Sequence, residues 1–292
     1  MVRIGIVSTR SKRYHPNRRL LEAGRTLGHA PFLLAPRDVL PAALRESRSP
    51  GKGGELPEVI LPRIGSTIED GELAAIFHLE RSGIPAVNGF TALTVARDKF
   101  LSLRHLDAQG IPVPRTFLVT APGQISRAVR RLGGFPVVMK APRGRQGTEV
   151  YLVDERAFAR YILEHPSHPT CGVLVQEYVP SAACGDVRVM IVAGEAVAAM
   201  RRIPKRGDFR SNAHLRGKGV PWEPDDEWVR LALRASAALG LQVAGVDLLE
   251  GTNGPLVLEV NTTPGFRELE RVTRVDVAIE IIRHAVKVAG GR

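Results

Sequence analysis

The sequence predicts an open parallel α/β domain at the N-terminus followed by an α+β region. Three observations carry this. Short apolar runs alternate with helix-period segments as far as residue 95, the pattern of βαβ units. Beyond that point strands crowd together in runs, with helices of modest length between them. Two strand pairs are joined by turn signals, Ala193-Gly194 and Gly251-Thr252-Asn253-Gly254, which indicates antiparallel hairpins.

In chain order, Val2 to Ser8 reads as a buried strand, and Asn17 as the N-cap of a helix carrying Leu20, Leu21, Gly24 and Leu27 that Gly28 ends. Pro31–Pro36, Val59–Ile64 and Ile84–Asn88 are further strands, with a helix around Leu73, Ile76 and Phe77 before the last. A helix from Thr91 to Gln109 leads into the second region. There the strands are Val113–Val119, Pro136–Lys140, Val150–Val153 and Val173–Val179. Helices carrying Ile125, Val129 and Leu132, and then Phe158, Tyr161 and Ile162, lie between them. A strand pair from Asp186 to Ile203 follows, and Arg230–Leu239 and Val275–Ala289 are helical.

Composition bounds the function. At 292 residues the chain can hold two domains or one large one with lobes. The net charge is +11, and the first fifty residues hold ten Lys/Arg against three Asp/Glu. Such a surface attracts nucleic acid, acidic peptides or polyanionic metabolites, or reflects an arginine-rich composition with no partner meaning. No reading helix or aromatic stacking motif supports nucleic acid. No apolar run reaches membrane-spanning length, and the N-terminus lacks the order of a secretory signal. Cys171 and Cys184 give neither a disulfide framework nor metal-ligand spacing, so the expected setting is the cytoplasm.

The stretch Ala244–Gly265 organises the chemistry. Its two apolar strands are interrupted by three oxygen-bearing side chains, Asp247, Glu259 and Asn261. Glu259 and Asn261 share a strand face, and a hairpin symmetric about Asn253 puts Asp247 opposite Glu259. Carboxylates buried among Val and Leu need a partner, and a hard divalent cation is the natural one. The alternative is an edge hairpin whose acids face water.

Upstream, Lys140 ends an apolar strand and is followed by a loop punctuated by Gly144 and Gly147. Such a loop lets backbone N–H groups approach phosphate while the lysine supplies a point charge, although no Walker sequence closes it. A glycine hairpin with a solvent lysine is the competing explanation. The strand Leu174–Val179 ends in Gln176, Glu177 and Tyr178, able to offer polar groups to an adenine edge and a ribose hydroxyl. With Ala193-Gly194 as the turn, Asp186 is expected opposite Arg201, with Arg188 on the face of Asp186. This is either a lined cleft or a structural ion pair. Gly207-Asp-Phe-Arg210-Ser211-Asn212 and the Gly-rich Arg216–Gly219 then read as a substrate-covering loop.

Taken in this order, the chain from Lys99 onward resembles the ATP-grasp ligases, specifically the RimK family of α-L-glutamate ligases. The likeness rests on Arg97-Asp98-Lys99, Pro136–Lys140, Val175-Gln-Glu-Tyr178, Asp186-Val-Arg188, Gly207–Asn212, Gly245-Val-Asp247 and Leu258–Gly265, and reaches upstream to Pro62–Gly65. It implies an N-terminal α/β domain over 1–95, a central ATP-grasp lobe with a phosphate flap over 96–179, and a C-terminal lobe with the metal site over 180–292. Lys99 and Lys140 would hold nucleotide phosphates, and Glu177, Tyr178 and Asp186 would contact the nucleotide. Arg210, Ser211 and Asn212 would form a second ATP-contacting stretch. Asp247, Glu259 and Asn261 would bind Mg²⁺ or Mn²⁺. Arg188 and Arg201 are inferred to face the reacting phosphate and carboxylate.

The implied activity is ATP-dependent amide formation through an acyl phosphate. It would add L-glutamate or another amino acid to a protein C-terminus, an acidic peptide or an oligoglutamate. A ligase acting on a small cofactor or an amino-group carrier, and a non-catalytic ATP-binding protein, are the alternatives, and a homo-oligomer is left open. Two departures from the family pattern stand out. The flap carries Glu149 where the family has glycine, and the loop Asn212–Gly219 is one residue longer than usual.

Overall fold

The computed structural model describes residues 1–39, 56–64, 70–144, 150–164, 172–204 and 218–291. The first sheet is parallel, with β1 (Arg3–Val7) between β2 (Ala30–Leu34) and β3 (Val59–Pro62). Ile4, Ile6 and Val7 are fully buried, as expected for a strand covered on both faces. Helix α1 (His15–Thr26) lies so close to β2 that a Cβ on Gly24 would meet Pro31 Cγ at 2.7 Å. On the other side lies α3 (Asp70–Arg81), after the short α2 (Pro36–Val39).

Three expectations for this half need correction. The helix begins at His15, and Asn17 is a buried residue inside its first turn. Its Nδ2 donates to Ser8 Oγ at 3.1 Å, Arg10 O at 2.9 Å and Ser11 O at 3.2 Å. Ile84–Asn88 makes only an isolated parallel bridge, Ile60 to Ala86. The Thr91–Gln109 helix is two, α4 (Phe90–Ala96) and α5 (Lys99–Ala108). Asp98 breaks it by accepting the N–H groups of Phe100 and Leu101 as an N-cap.

The second sheet has the order β4-β7-β5-β6, from β4 (Thr116–Val119), β5 (Val137–Lys140), β6 (Val150–Val153) and β7 (Val173–Glu177). Helices α6 (Pro122–Leu132) and α7 (Arg156–Glu164) pack on the face bearing Val137, Met139, Val173 and Val175. The period of two therefore turns Lys140 and Gln176 to the opposite face together.

The third sheet is antiparallel, in the order β10-β9-β8-β11-β12. Its strands are β8 (Asp186–Val192), β9 (Glu195–Ile203), β10 (Lys218–Pro221), β11 (Val243–Gly251) and β12 (Gly254–Asn261). Helix α8 (Asp226–Ala238) covers the face carrying Val187, Val189, Ala244, Val246 and Val260. The other face turns toward the N-terminal sheet. There Met190, Val192 and Val243 share one core with Ile4, Leu20 and Leu61 and with Ile281 and Ile282 of α10 (Val277–Gly290). The last helix thus joins the core of the first sheet. Between β12 and α10 runs α9 (Arg267–Thr273).

Candidate active site

The polar side chains of the third sheet gather on the face away from α8, and two β-bulges decide which ones. Between β8 and β9 the register shifts after Met190, so Asp186 pairs with Arg202 and Val187 with Arg201. The expected pairing of Asp186 with Arg201 is off by one residue, because an extra residue in β9 flips everything beyond it. Arg201 instead turns to the α8 side, its guanidinium 5.8 Å from the centre of the Trp222 ring. Between β11 and β12 the tight pairing of Gly251 with Gly254 would put Leu258 opposite Asp247. A second bulge restores Asp247 to Glu259.

Asp247 is buried at the centre of this face. Arg188 grips both its oxygens at 2.7 Å, and Arg202 Nη2 lies 2.9 Å from Oδ2. Arg202 also holds both oxygens of Asp186, at 2.6 and 2.5 Å. Two acids and two bases therefore balance in a desolvated quartet. Burial pushes the Asp247 carboxyl up, but Arg188 and Arg202 outweigh it and hold it below its ordinary range. Burial likewise opposes the charge on Arg202, and Asp186 and Asp247 overcome it and raise its pKa. Asp186, expected to contact the nucleotide, accepts from Arg202 through both oxygens. Asn261 donates Nδ2 to Asp247 Oδ2 at 3.1 Å.

Two lysines meet this face, Lys140 from the second sheet and Lys99 from α5, whose Leu106 packs in the core beneath the third sheet. Lys99, the first residue of α5, donates to Gly144 O at 3.0 Å and lies 3.8 Å from Glu259 Oε1. Lys140 is buried and donates to Gln176 Oε1 at 3.0 Å, while Gln176 Nε2 donates to Thr116 Oγ1 at 2.8 Å. Burial pulls the Lys140 ammonium down to about 8, with Lys99 adding to the effect and Glu259 opposing it. Glu177, at the end of β7, is engaged by Arg115 through the backbone N–H at 2.8 Å and Nε at 2.6 Å, and half-buried Tyr178 follows it. Arg210, Ser211, Asn212 and Glu149 lie outside the described residues.

Two carboxylates and one amide oxygen make a sparse, hard donor set. Among the described residues no group of three or more His, Cys, Asp and Glu side chains could hold a metal by itself. Magnesium suits such a set, because it takes one or two carboxylates and completes its shell with water and phosphate. Asp247, Glu259 and Asn261 therefore fit a divalent cation, and two lysines beside them fit the phosphates it would share.

Residues 96–285 match the model of the RimK-like ATP-grasp domain. The chain belongs to the RimK-like ATP-grasp family. It is 40% identical over 271 residues to a probable α-L-glutamate ligase of Klebsiella pneumoniae (strain 342), covering 91% of this chain and 89% of that one. It is 39% identical over 283 residues to the ribosomal protein bS6–L-glutamate ligase of Salmonella paratyphi B, covering 92% of each. Among solved structures, a RimK domain ATP-grasp protein from Sphaerobacter thermophilus superposes with a TM-score of 0.78 at 26% identity, over 97% of this chain and 99% of that one. As a RimK-like ATP-grasp protein the chain is an ATP-dependent ligase.

Four residues around this cluster make contacts that motif reading does not assign, Gln176 and Arg63 among them although they lie inside the motifs Val175–Tyr178 and Pro62–Gly65. Arg202 is hidden by the bulge. Gln176, which holds Lys140, reads as part of the hinge. Arg63 reaches from the end of β3 to donate to Pro264 O at 2.8 Å, and burial pulls its guanidinium down to about 10. Asn88 bonds the start of β11 and the residue after Asn261, as a buried amide that no local pattern announces.

Proposed function

We propose that this ligase joins L-glutamate, through its amine, to the C-terminal carboxylate of an acidic protein or peptide in the cytoplasm. The observation that supports this most is a single cluster: two lysines beside two carboxylates and an amide. It is the arrangement that phosphoryl transfer needs, where positioning and charge neutralisation supply the catalysis.

In this reading Lys140, steadied by Gln176, and Lys99, fixed at the capped start of α5, neutralise the phosphates of ATP. Asp247, Glu259 and Asn261 hold Mg²⁺ or Mn²⁺, which when bound screens the phosphate oxygens. Arg188 lies within reach of that cluster and orients the reacting carboxylate. An oxygen of the acceptor carboxylate attacks the γ-phosphorus and ADP departs, leaving an acyl phosphate. The glutamate amine then attacks the carbonyl carbon, phosphate leaves and an amide bond remains. No side-chain nucleophile enters. Arg201, on the α8 face, has no part in these steps.

The relatives named above support glutamate as the added amino acid, and the basic N-terminal region supports an acidic acceptor. The test is ADP release across the amino acids, with synthetic peptides of acidic and neutral C-termini, followed by mass spectrometry. Glutamyl extension of the acidic peptide is the expected product. ADP release without an adduct, or an adduct only on a small cofactor, would overturn the assignment.

A further inference from the structure

The loop between β1 and α1 carries a run of exposed basic charge. Thr9 to Tyr14 are all exposed, and they include Arg10, Lys12 and Arg13 with no acid among them. Several exposed arginines elsewhere sit beside acids, as in Arg18 with Glu22, Arg104 with Asp107 and Arg283 with Glu280, whereas Arg127, Arg130 and Arg131 on α6 have no such pair among the described residues. Among the described residues none pairs with Arg10, Lys12 or Arg13.

The loop is built rather than loose. Asn17, fully buried, fastens it through Ser8 Oγ and the carbonyls of Arg10 and Ser11, and Arg10 stacks 5.4 Å from the centre of the Tyr14 ring. A fixed, uncompensated run of cations meets an anionic partner without first having to be ordered.

Its position points inward. With strand order 2-1-3, the loop leaves the carboxyl end of the central strand, the usual ligand position in an open α/β sheet. Ser8 Oγ touches Arg63 O at 3.4 Å, and the Arg63 side chain donates to Thr263 O at 3.4 Å and Pro264 O at 2.8 Å. Those residues directly follow Asn261. Pro264 in turn packs on Gly245, where an added Cβ would sit 2.7 Å from Pro264 Cβ and 3.6 Å from Arg188 Nε. Arg63 is itself buried, with no carboxylate partner among the described residues and with Nε lacking a hydrogen bond. A series of buried neighbours therefore places the base of the basic loop close to the Arg188–Asp247 pair.

We propose that the β1–α1 loop is the docking track for the acidic tail of the acceptor, holding tail carboxylates on Arg10, Lys12 and Arg13 and leading the reacting end past Arg63 to the ligand cluster. This rests on the acceptor being acidic, as proposed above. It adds which residues select it.

The test uses the full chain and a fluorescein-labelled synthetic peptide ending in four glutamates, beside the same peptide ending in four glutamines. Peptide binding is read by anisotropy at several salt concentrations, and ligation by ADP release. The glutamate peptide should bind more tightly, with an affinity that falls as salt rises. The Arg10→Glu/Lys12→Glu/Arg13→Glu variant should raise the KM for the glutamate peptide about tenfold or more and flatten the salt dependence. Its saturating rate and its KM for ATP should stay within about twofold, with the alanine triple variant intermediate. Unchanged KM and salt dependence in triple variants that still ligate would overturn the track and leave the ligase assignment standing. Failure of the wild-type chain to extend any acidic peptide would overturn the ligase assignment and the track with it. Displacement of the peptide by single-stranded RNA at lower concentration than by unlabelled peptide would overturn it in favour of a nucleic-acid surface.

Discussion

Arg188 closes on Asp247 across the β8–β11 ladder, with Nε and Nη2 each 2.7 Å from a carboxylate oxygen. The strand pairing sets them directly opposite, so the ion pair is written into the register. Asp247 is thus the charge partner of two arginines, and the proposed cation site gives it a second function.

That double duty separates Asp247 from Glu259. Asp247→Ala leaves Arg188 and Arg202 buried without their shared counter-charge, and breaking such a pair costs about 3–5 kcal/mol. The Glu259 side chain is 30% exposed, and among the described residues its one ion pair is with Lys99, at 3.8 Å. Both substitutions should abolish divalent-cation-dependent ADP release. Only Asp247→Ala should also lower the unfolding free energy, read from denaturant titration, by the amount above. Equal stability in the two variants would mean that the quartet contributes nothing to folding.

The bulge in β9 gives a second discriminating pair. Arg202→Met removes the guanidinium that holds Asp186 and Asp247 together, and should lose both stability and ligation. Arg201→Met, one residue away, loses a stack on Trp222 worth about 0.5–1 kcal/mol and should keep its turnover. Steady-state kinetics of the two purified variants checks this. A reversal of the order would restore Arg201 to the site.

These two residues also mark where the sequence stops being legible. Strand existence, the two hairpin turns and the order of the motifs can be read from period and turn chemistry. A bulge leaves no such trace. It is one residue too many in a run of apolar and basic side chains, and its position is set by the twist and packing of the sheet. In β12 the same device acts in the opposite sense: symmetry about Asn253 finds the Asp247–Glu259 pairing, although the turn is tighter and the bulge supplies the difference. Asn17 is a further case. It reads as a cap because Asn favours caps, while tertiary contacts use its amide to fasten the preceding loop. The place of α10 in the first core is likewise a long-range fact, invisible to any window.

Lys140 predicts opposite effects of pH on binding and on stability. Its folded value, about 8, lies below the ordinary 10.5, so the native state binds its proton less tightly than the unfolded chain. The folding penalty, roughly 3 kcal/mol by that difference, is fully present below about pH 8 and fades as pH rises toward 10.5. Lys140→Met should therefore raise the unfolding free energy at pH 7, by less near pH 10. Nucleotide binding needs the charged form, so ATP affinity of the wild-type chain should fall above pH 8, by up to about tenfold per unit. The Met variant should bind weakly at every pH. Calorimetric titration with ATP and melting curves at matched pH measure the two trends, and a flat affinity profile would take the lysine out of the phosphate site.

Asn88 couples the N-terminal region to the cation site, and its removal should weaken that site from a distance. Its Oδ1 accepts from Gln242 N at 2.7 Å and Val243 N at 2.9 Å, and its Nδ2 donates to Val243 O at 2.7 Å and Thr262 O at 3.0 Å. One buried amide thus holds the start of β11 and the residue after Asn261, so it sets the spacing of the strands that present Asp247 and Asn261. Asn88→Ala leaves backbone groups unpaired in a dry interior, at about 1–3 kcal/mol for each group left without a partner. The expected result is a lowered melting temperature together with a raised Mg²⁺ requirement for ADP release. Asn88→Asp, which keeps the acceptor and loses the donor, should fall between alanine and wild type in metal requirement. If the alanine variant melted early but needed no additional Mg²⁺, Asn88 would act on the fold alone, with no influence on the geometry of the ligands.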